Sequence, residues 1–126
     1  MQGREQLDRV RKLAQNAKAL QKRREQLLAS NSSLVEIEEE IERNQAEYQE
    51  LCVRLTPLIN QIYWDQMRNL LYKFYFDAAP MSEVLTTVFD LPVNSSCLSF
   101  AQSRKQMAIK YLQREIDRQE SKKVNC

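Results

Sequence analysis

Glu36, Glu38, Glu39 and Glu40 form the densest run of potentially reactive groups in the chain, followed by Glu42 and Glu47. Paired carboxylates do acid–base work when burial or a like charge drives their pKa values apart. Adjacent glutamates on an amphipathic helix instead spread over a solvated face, and nothing accompanies these to change that. The chain has no histidine, which removes Ser-His-Asp and Cys-His catalysis, histidine metal ligands and the Glu-x-x-His pairs of a di-iron bundle around Glu42 or Glu47. Its one glycine, Gly3, cannot build a phosphate-cradling loop. Cys52, Cys97 and Cys126 are an odd, widely spaced set with no Cys-x-x-Cys pair, and read as reduced thiols. The expectation is a chain that is not an enzyme and uses no cofactor and no metal.

Charge offers a second chemistry. Residues 1–28 carry eight Lys/Arg against three acids, and residues 33–55 carry seven Glu against two Arg, within a net charge of only +2. Lys18, Lys22, Arg23 and Arg24 are the candidate contacts for an anionic surface: nucleic acid, anionic membrane or the acidic face of tubulin. Against this, the basic stretch has no aromatic to stack on bases and no aromatic wedge for lipid, and the acidic block downstream complements it.

The elements that must position these groups are helices. Leu13, Leu20, Leu27, Leu34, Ile41, Tyr48, Leu55 and Ile62 recur at intervals of seven, the mark of a coiled-coil seam. The companion column shifts phase: Val10 and Ala17 precede their partners by three, whereas Ile37, Asn44, Leu51 and Leu58 follow by three. Arg24 and Asn31 occupy companion positions between. The shift coincides with Ser30-Asn31-Ser32-Ser33, residues that compete for backbone hydrogen bonds and favour turns. The sequence therefore predicts a helix over 4–29, a turn near 30–33, and a second helix from 34 opened by a Ser33/Glu36 capping box. An antiparallel hairpin is preferred; one long helix with a stutter stays open.

Pro57 either kinks a continuous second helix or opens a new one with Thr56 as cap. Residues 58–76 are the most apolar stretch and read as a helix that is buried on several sides or faces a partner, ended by Asp77-Ala78-Ala79-Pro80. Ser82 is the expected cap of a short element carrying Val84, Leu85, Val88 and Phe89, helix or strand. Asn94-Ser95-Ser96 caps a last helix over 97–120 with the stripe Leu98, Ala101, Ala108, Ile109, Leu112 and Ile116, and a polar tail follows from Ser121.

The fold class is all-α: an N-terminal coiled coil or antiparallel helical hairpin, then a short-helix segment and a C-terminal helix. The expected domains are 1–56 and 57–126. The thin N-terminal seam would bury too little to outweigh backbone entropy, so an apolar face is left for a partner. The function expected is that of a subunit or adaptor of a larger assembly, of the kind found in cell-division, microtubule-associated or vesicle-tethering complexes. Its partner-binding residues would be Leu34, Ile37, Ile41, Leu51, Leu55, Leu58, Ile62, Tyr63, Trp64, Leu70, Leu71, Phe74 and Tyr75. Other protein subunits, binding through helices, are the expected partners; heteromeric pairing is favoured and a homodimer is open. The expected location is cytoplasmic or nuclear, with no secretory leader and no membrane span.

Overall fold

The computed structural model describes residues 2–124. Among them lie five α-helices: α1 (Gly3–Ala29), α2 (Val35–Ile59), α3 (Asp65–Leu71), α4 (Met81–Thr87) and α5 (Ser95–Val124). A π-helical turn, Tyr72–Phe76, continues α3. The described residues contain no strand: within 84–89, residues 84–87 belong to α4 and Val88 and Phe89 follow it as a turn.

α1 and α2 form an antiparallel hairpin. Arg9 pairs with Glu47, the Leu13 carbonyl meets Asn44, and Arg24 meets Glu38, so the numbers run in opposite directions. The turn is closed by a Schellman arrangement: the Ser32 N–H donates to Leu27 O at 3.0 Å and the Asn31 N–H to Leu28 O at 3.2 Å. Asn31 takes the left-handed position at φ 55°, which asparagine tolerates better than most residues. The capping box does not form. Leu34 is the N-cap of α2 and makes no side-chain capping bond. The Ser30 hydroxyl instead donates to the Leu27 carbonyl and lies 2.8 Å from that of Ser32.

Pro57 lies inside α2, which runs through it and stops at Ile59. The helix expected over 58–76 is broken: residues 60–64 turn the chain and Trp64 caps α3. The break has a packing reason. It lets Ile59 and Ile62 on one side of the turn, and Met67, Leu70 and Leu71 on the other, enter one core. Arg68 braces the turn by donating to the Ile62 carbonyl and pairing with Asp65. The N-cap of α4 is Pro80, not Ser82. The cap at Asn94 forms as expected, its Oδ1 accepting from the Cys97 N–H at 2.8 Å.

A single core draws on every helix. Leu7, Val10 and Leu13 of α1 meet Leu51, Leu55, Leu58 and Ile59 of α2, then Met67, Leu70, Leu71, Tyr75, Phe76 and Val84, and finally Ala108, Ile109, Leu112 and Ile116 of α5. The boundary expected between residues 56 and 57 therefore falls within α2, and the core does not divide there. Gly3 lets α1 start close against α5: its N–H donates to Gln113 Oε1 at 2.6 Å, and a side chain there would meet Ile116 at 3.2 Å.

The π turn turns two adjacent aromatics inward. Tyr75 and Phe76 are both buried, and the Asp77 N–H donates to Tyr72 O at 2.9 Å. Its end is clamped by Arg11, which donates to the carbonyls of Phe74 and Ala79 while lying 3.9 Å from the Phe74 ring centre. No helix among the described residues is long and apolar enough to cross a membrane.

Candidate partner-binding site

The base of the hairpin belongs to the core and the rest projects from it. From Gln15 to Ala29 no residue of α1 is buried, and between Ile37 and Leu51 none of α2 is. At 1.5 Å per residue the projecting arm is about 20 Å long. Leu20, Leu27, Leu34 and Ile41 stay half-exposed along the arm, and of its apolar column only Ile37, at 3% exposure, is enclosed.

One side of the arm is furrowed. An open cavity of about 500 Å³ lies between the helices, floored by Ala14, Ala17, Leu20, Ile41, Asn44 and Tyr48. Phe76 and Asp77 close its lower end. Lower on the same face the space between α1 and α2 is occupied by the π turn: Tyr48 donates to the Phe76 carbonyl at 2.9 Å, its ring meets that of Phe76 edge-on, and Arg11 reaches Phe74 from α1. Toward the tip, Arg24 and Glu38 bridge the two helices at 3.4 Å. The furrow is thus the unfilled continuation of a groove that the chain fills lower down with its own helical turn.

The edges differ in charge. Lys18 and Gln21 line the α1 side, with Lys22 one helical turn beyond Lys18. Gln45 lines the α2 side, with Glu38 and Glu42 on the outer edge of that helix. Burial pushes the Tyr48 hydroxyl up to about 12, so it stays a neutral hydrogen-bond donor. Burial also raises the Cys52 thiol, which disfavours a thiolate nucleophile.

The residues expected to bind a partner are divided by the fold. Leu51, Leu55, Leu58, Ile62, Leu70, Leu71 and Tyr75 are interior, packed against this chain's own helices. The sequence marks them as apolar; it does not say that α1 and α5 cover them. Phe74 is half-buried between Arg11 and Lys105, whose ammonium is 4.9 Å from the ring centre. Leu34 and Ile41 remain half-exposed on the arm. Tyr63 and Trp64 stand in the connection before α3, 90% and 46% exposed. Of the basic set, Lys18 donates to the Asp77 carbonyl at 2.9 Å and Arg24 pairs with Glu38, while Lys22 and Arg23 are exposed. Of the furrow's lining only Ile41 and Lys18 are among the expected contacts; sequence reasoning missed Ala14, Ala17, Leu20, Asn44 and Tyr48. The available signal was the small companion at Ala17, which leaves a hollow beside Leu20 that a larger residue would fill.

Among the described residues no three cysteine, aspartate or glutamate side chains stand together as a metal site requires. Cys126 lies outside the described residues. Comparison with protein-family models, curated proteins and solved structures gave no match.

Proposed function

We propose that this protein is a non-enzymatic adaptor or subunit of a multiprotein assembly, in which the compact helical base holds a coiled-coil arm for a partner protein. One observation carries this reading: a two-helix arm whose apolar column is enclosed at Ile37 alone, standing on a base whose own core is complete. A helix polar on most of its circumference gains little from a narrow seam, and a partner's apolar side chains would finish it. The exposed pair Tyr63 and Trp64 offers a second contact, since aromatics supply large desolvated area at interfaces. Cell-division, microtubule-associated and vesicle-tethering complexes are the kinds of assembly in which such a subunit would serve, and a cytoplasmic or nuclear setting suits reduced thiols.

The anionic-surface alternative is weaker, because Lys18 and Arg24 are engaged within the chain. The test is capture of partners by the intact chain, with and without nuclease, read by cross-linking mass spectrometry. Leu20→Asp is expected to abolish capture and leave the melting of the base intact. Capture that survives Leu20→Asp but is lost on reversing Lys22 and Arg23 would transfer the function to the basic helix.

A further inference from the structure

We infer that the furrow between Ala17, Leu20 and Ile41 receives a single helix from a different polypeptide, one whose apolar stripe is flanked by acidic residues on one side and basic residues on the other. The inference rests on the reading of the arm as a partner-binding element and specifies its occupant.

Three features define that occupant. The first is continuity. The chain's own π turn fills the α1–α2 groove up to Phe76, and the open part begins where that turn leaves off. A docked helix would extend the same packing toward the tip. From Ala14 to the Arg24–Glu38 bridge the open length is about 15 Å, close to three helical turns. The second is the floor. Ala14 and Ala17 are small, so a helix can seat its larger side chains between them and Leu20, Ile41 and Tyr48. The third is the charge of the edges. Exposed Lys22 on α1 favours an acidic flank and exposed Glu42 on α2 a basic one, while Lys18 and Glu38, each engaged within the chain, add only their residual charge to the same two edges. These opposite edges also set the direction in which the helix lies, because turning it end for end exchanges its flanks.

A second copy of this chain fits poorly. If two arms stacked on this face with tips pointing the same way, the elements behind Phe76 and Asp77 would collide, since they close the furrow's lower end on that same side. If the tips pointed opposite ways, α1 would lie on α1 and α2 on α2. That sets Lys18 and Lys22 against their own copies and the Glu38–Glu42 edge against its own. Like charges so placed are repulsive.

The test uses the full chain and three fluorescent helical peptides of ~21 residues with one leucine stripe. One carries Glu on one flank and Lys on the other, one Glu on both, and one Lys on both. The mixed peptide is expected to bind at least ~3-fold tighter than either of the others at low salt, with the gap closing in ~0.5 M NaCl. Ala17 is exposed, so Ala17→Arg should leave folding unchanged while weakening the mixed peptide at least ~10-fold. Equal binding of all three peptides would overturn the inference, as would indifference to Ala17→Arg. So would a dimer in sedimentation that Ala17→Arg dissolves, which would make the second copy the occupant. Should no peptide bind while captured partners are still lost on Leu20→Asp, this inference fails and the adaptor reading survives. Should the intact chain bind no peptide and also capture no partner, the adaptor reading would fall as well.

Discussion

The Asn44 side-chain amide donates to the Leu13 carbonyl at 2.9 Å, joining the two hairpin helices at the level where the core ends and the arm begins. A polar residue at a seam position fixes register at some cost in stability. Asn44→Leu is therefore expected to raise the melting temperature, by the equivalent of about 1 kcal/mol, because the Leu13 carbonyl keeps its helical bond and an apolar group replaces an amide. Thermal melting followed by circular dichroism checks it. A lower melting temperature would mean that the amide bond outweighs the seam burial.

Base and arm should differ sharply in their tolerance to truncation. Leu55→Ala and Leu71→Ala remove fully buried side chains and should each cost about 2–5 kcal/mol in denaturant unfolding. Ile41→Ala, on the half-exposed arm, should cost under about 1.5 kcal/mol. Hydrogen exchange provides the companion measurement: amides from 16 to 28 should exchange through local opening, well before those of α3 and α5.

Arg11 and Arg9 sit two residues apart in α1 and should behave differently. Arg11 holds two carbonyls and covers the Phe74 ring, and burial lowers its pKa. Arg11→Ala leaves the Phe74 and Ala79 carbonyls short of that donor and should cost about 1–3 kcal/mol. Arg9 makes an exposed pair with Glu47 at 2.7 Å, so Arg9→Ala should barely move the melting temperature, and less still in high salt.

Alkaline pH should weaken the fold before it ionises the folded tyrosines. Burial pushes both Tyr48 and Tyr75 up to about 12. In the unfolded chain tyrosine ionises near 10. Between these values the unfolded state loses protons that the folded state keeps, so stability is full below pH ~10 and falls as pH rises toward 12. Tyr75→Phe should flatten that fall in a urea series, and an unchanged slope would show that Tyr75 does not contribute.

The hairpin turn makes a smaller prediction. Asn31 sits at φ 55°, so Asn31→Gly should be neutral or slightly stabilising, while Asn31→Val should destabilise by about 1–2 kcal/mol. Equal melting temperatures for the two would mean that the turn relaxes.

Much of the architecture could be read from residue spacing. The seven-residue column and the Ser30–Ser33 interruption locate the hairpin, and Asn94 locates the start of α5, because local chemistry decides those points. The break at 60–64 could not be read that way. Nothing in Asn60-Gln61-Ile62-Tyr63 stops a helix by itself; the turn is set by the need to bring Ile59, Ile62 and Met67 to one core. The same limit governs the site. Heptad spacing identifies Leu55 and Ile41 as equally apolar, and only the path of α3–α5 decides that the first is enclosed and the second half-open. Pro57 is the intermediate case: two arrangements fitted its neighbours, and packing of Leu58 and Ile59 against the base selects the continuous helix.

The π turn at Tyr72–Phe76 bears on how the gene can drift in length. Its wider winding holds one residue more than an α-helical turn would, so deleting a single codon there and returning to ordinary winding would leave the direction of the downstream chain nearly unchanged. The loss would be local: Tyr75 and Phe76 would give up their shared inward aim, and the core would lose an aromatic that the bulge now supplies.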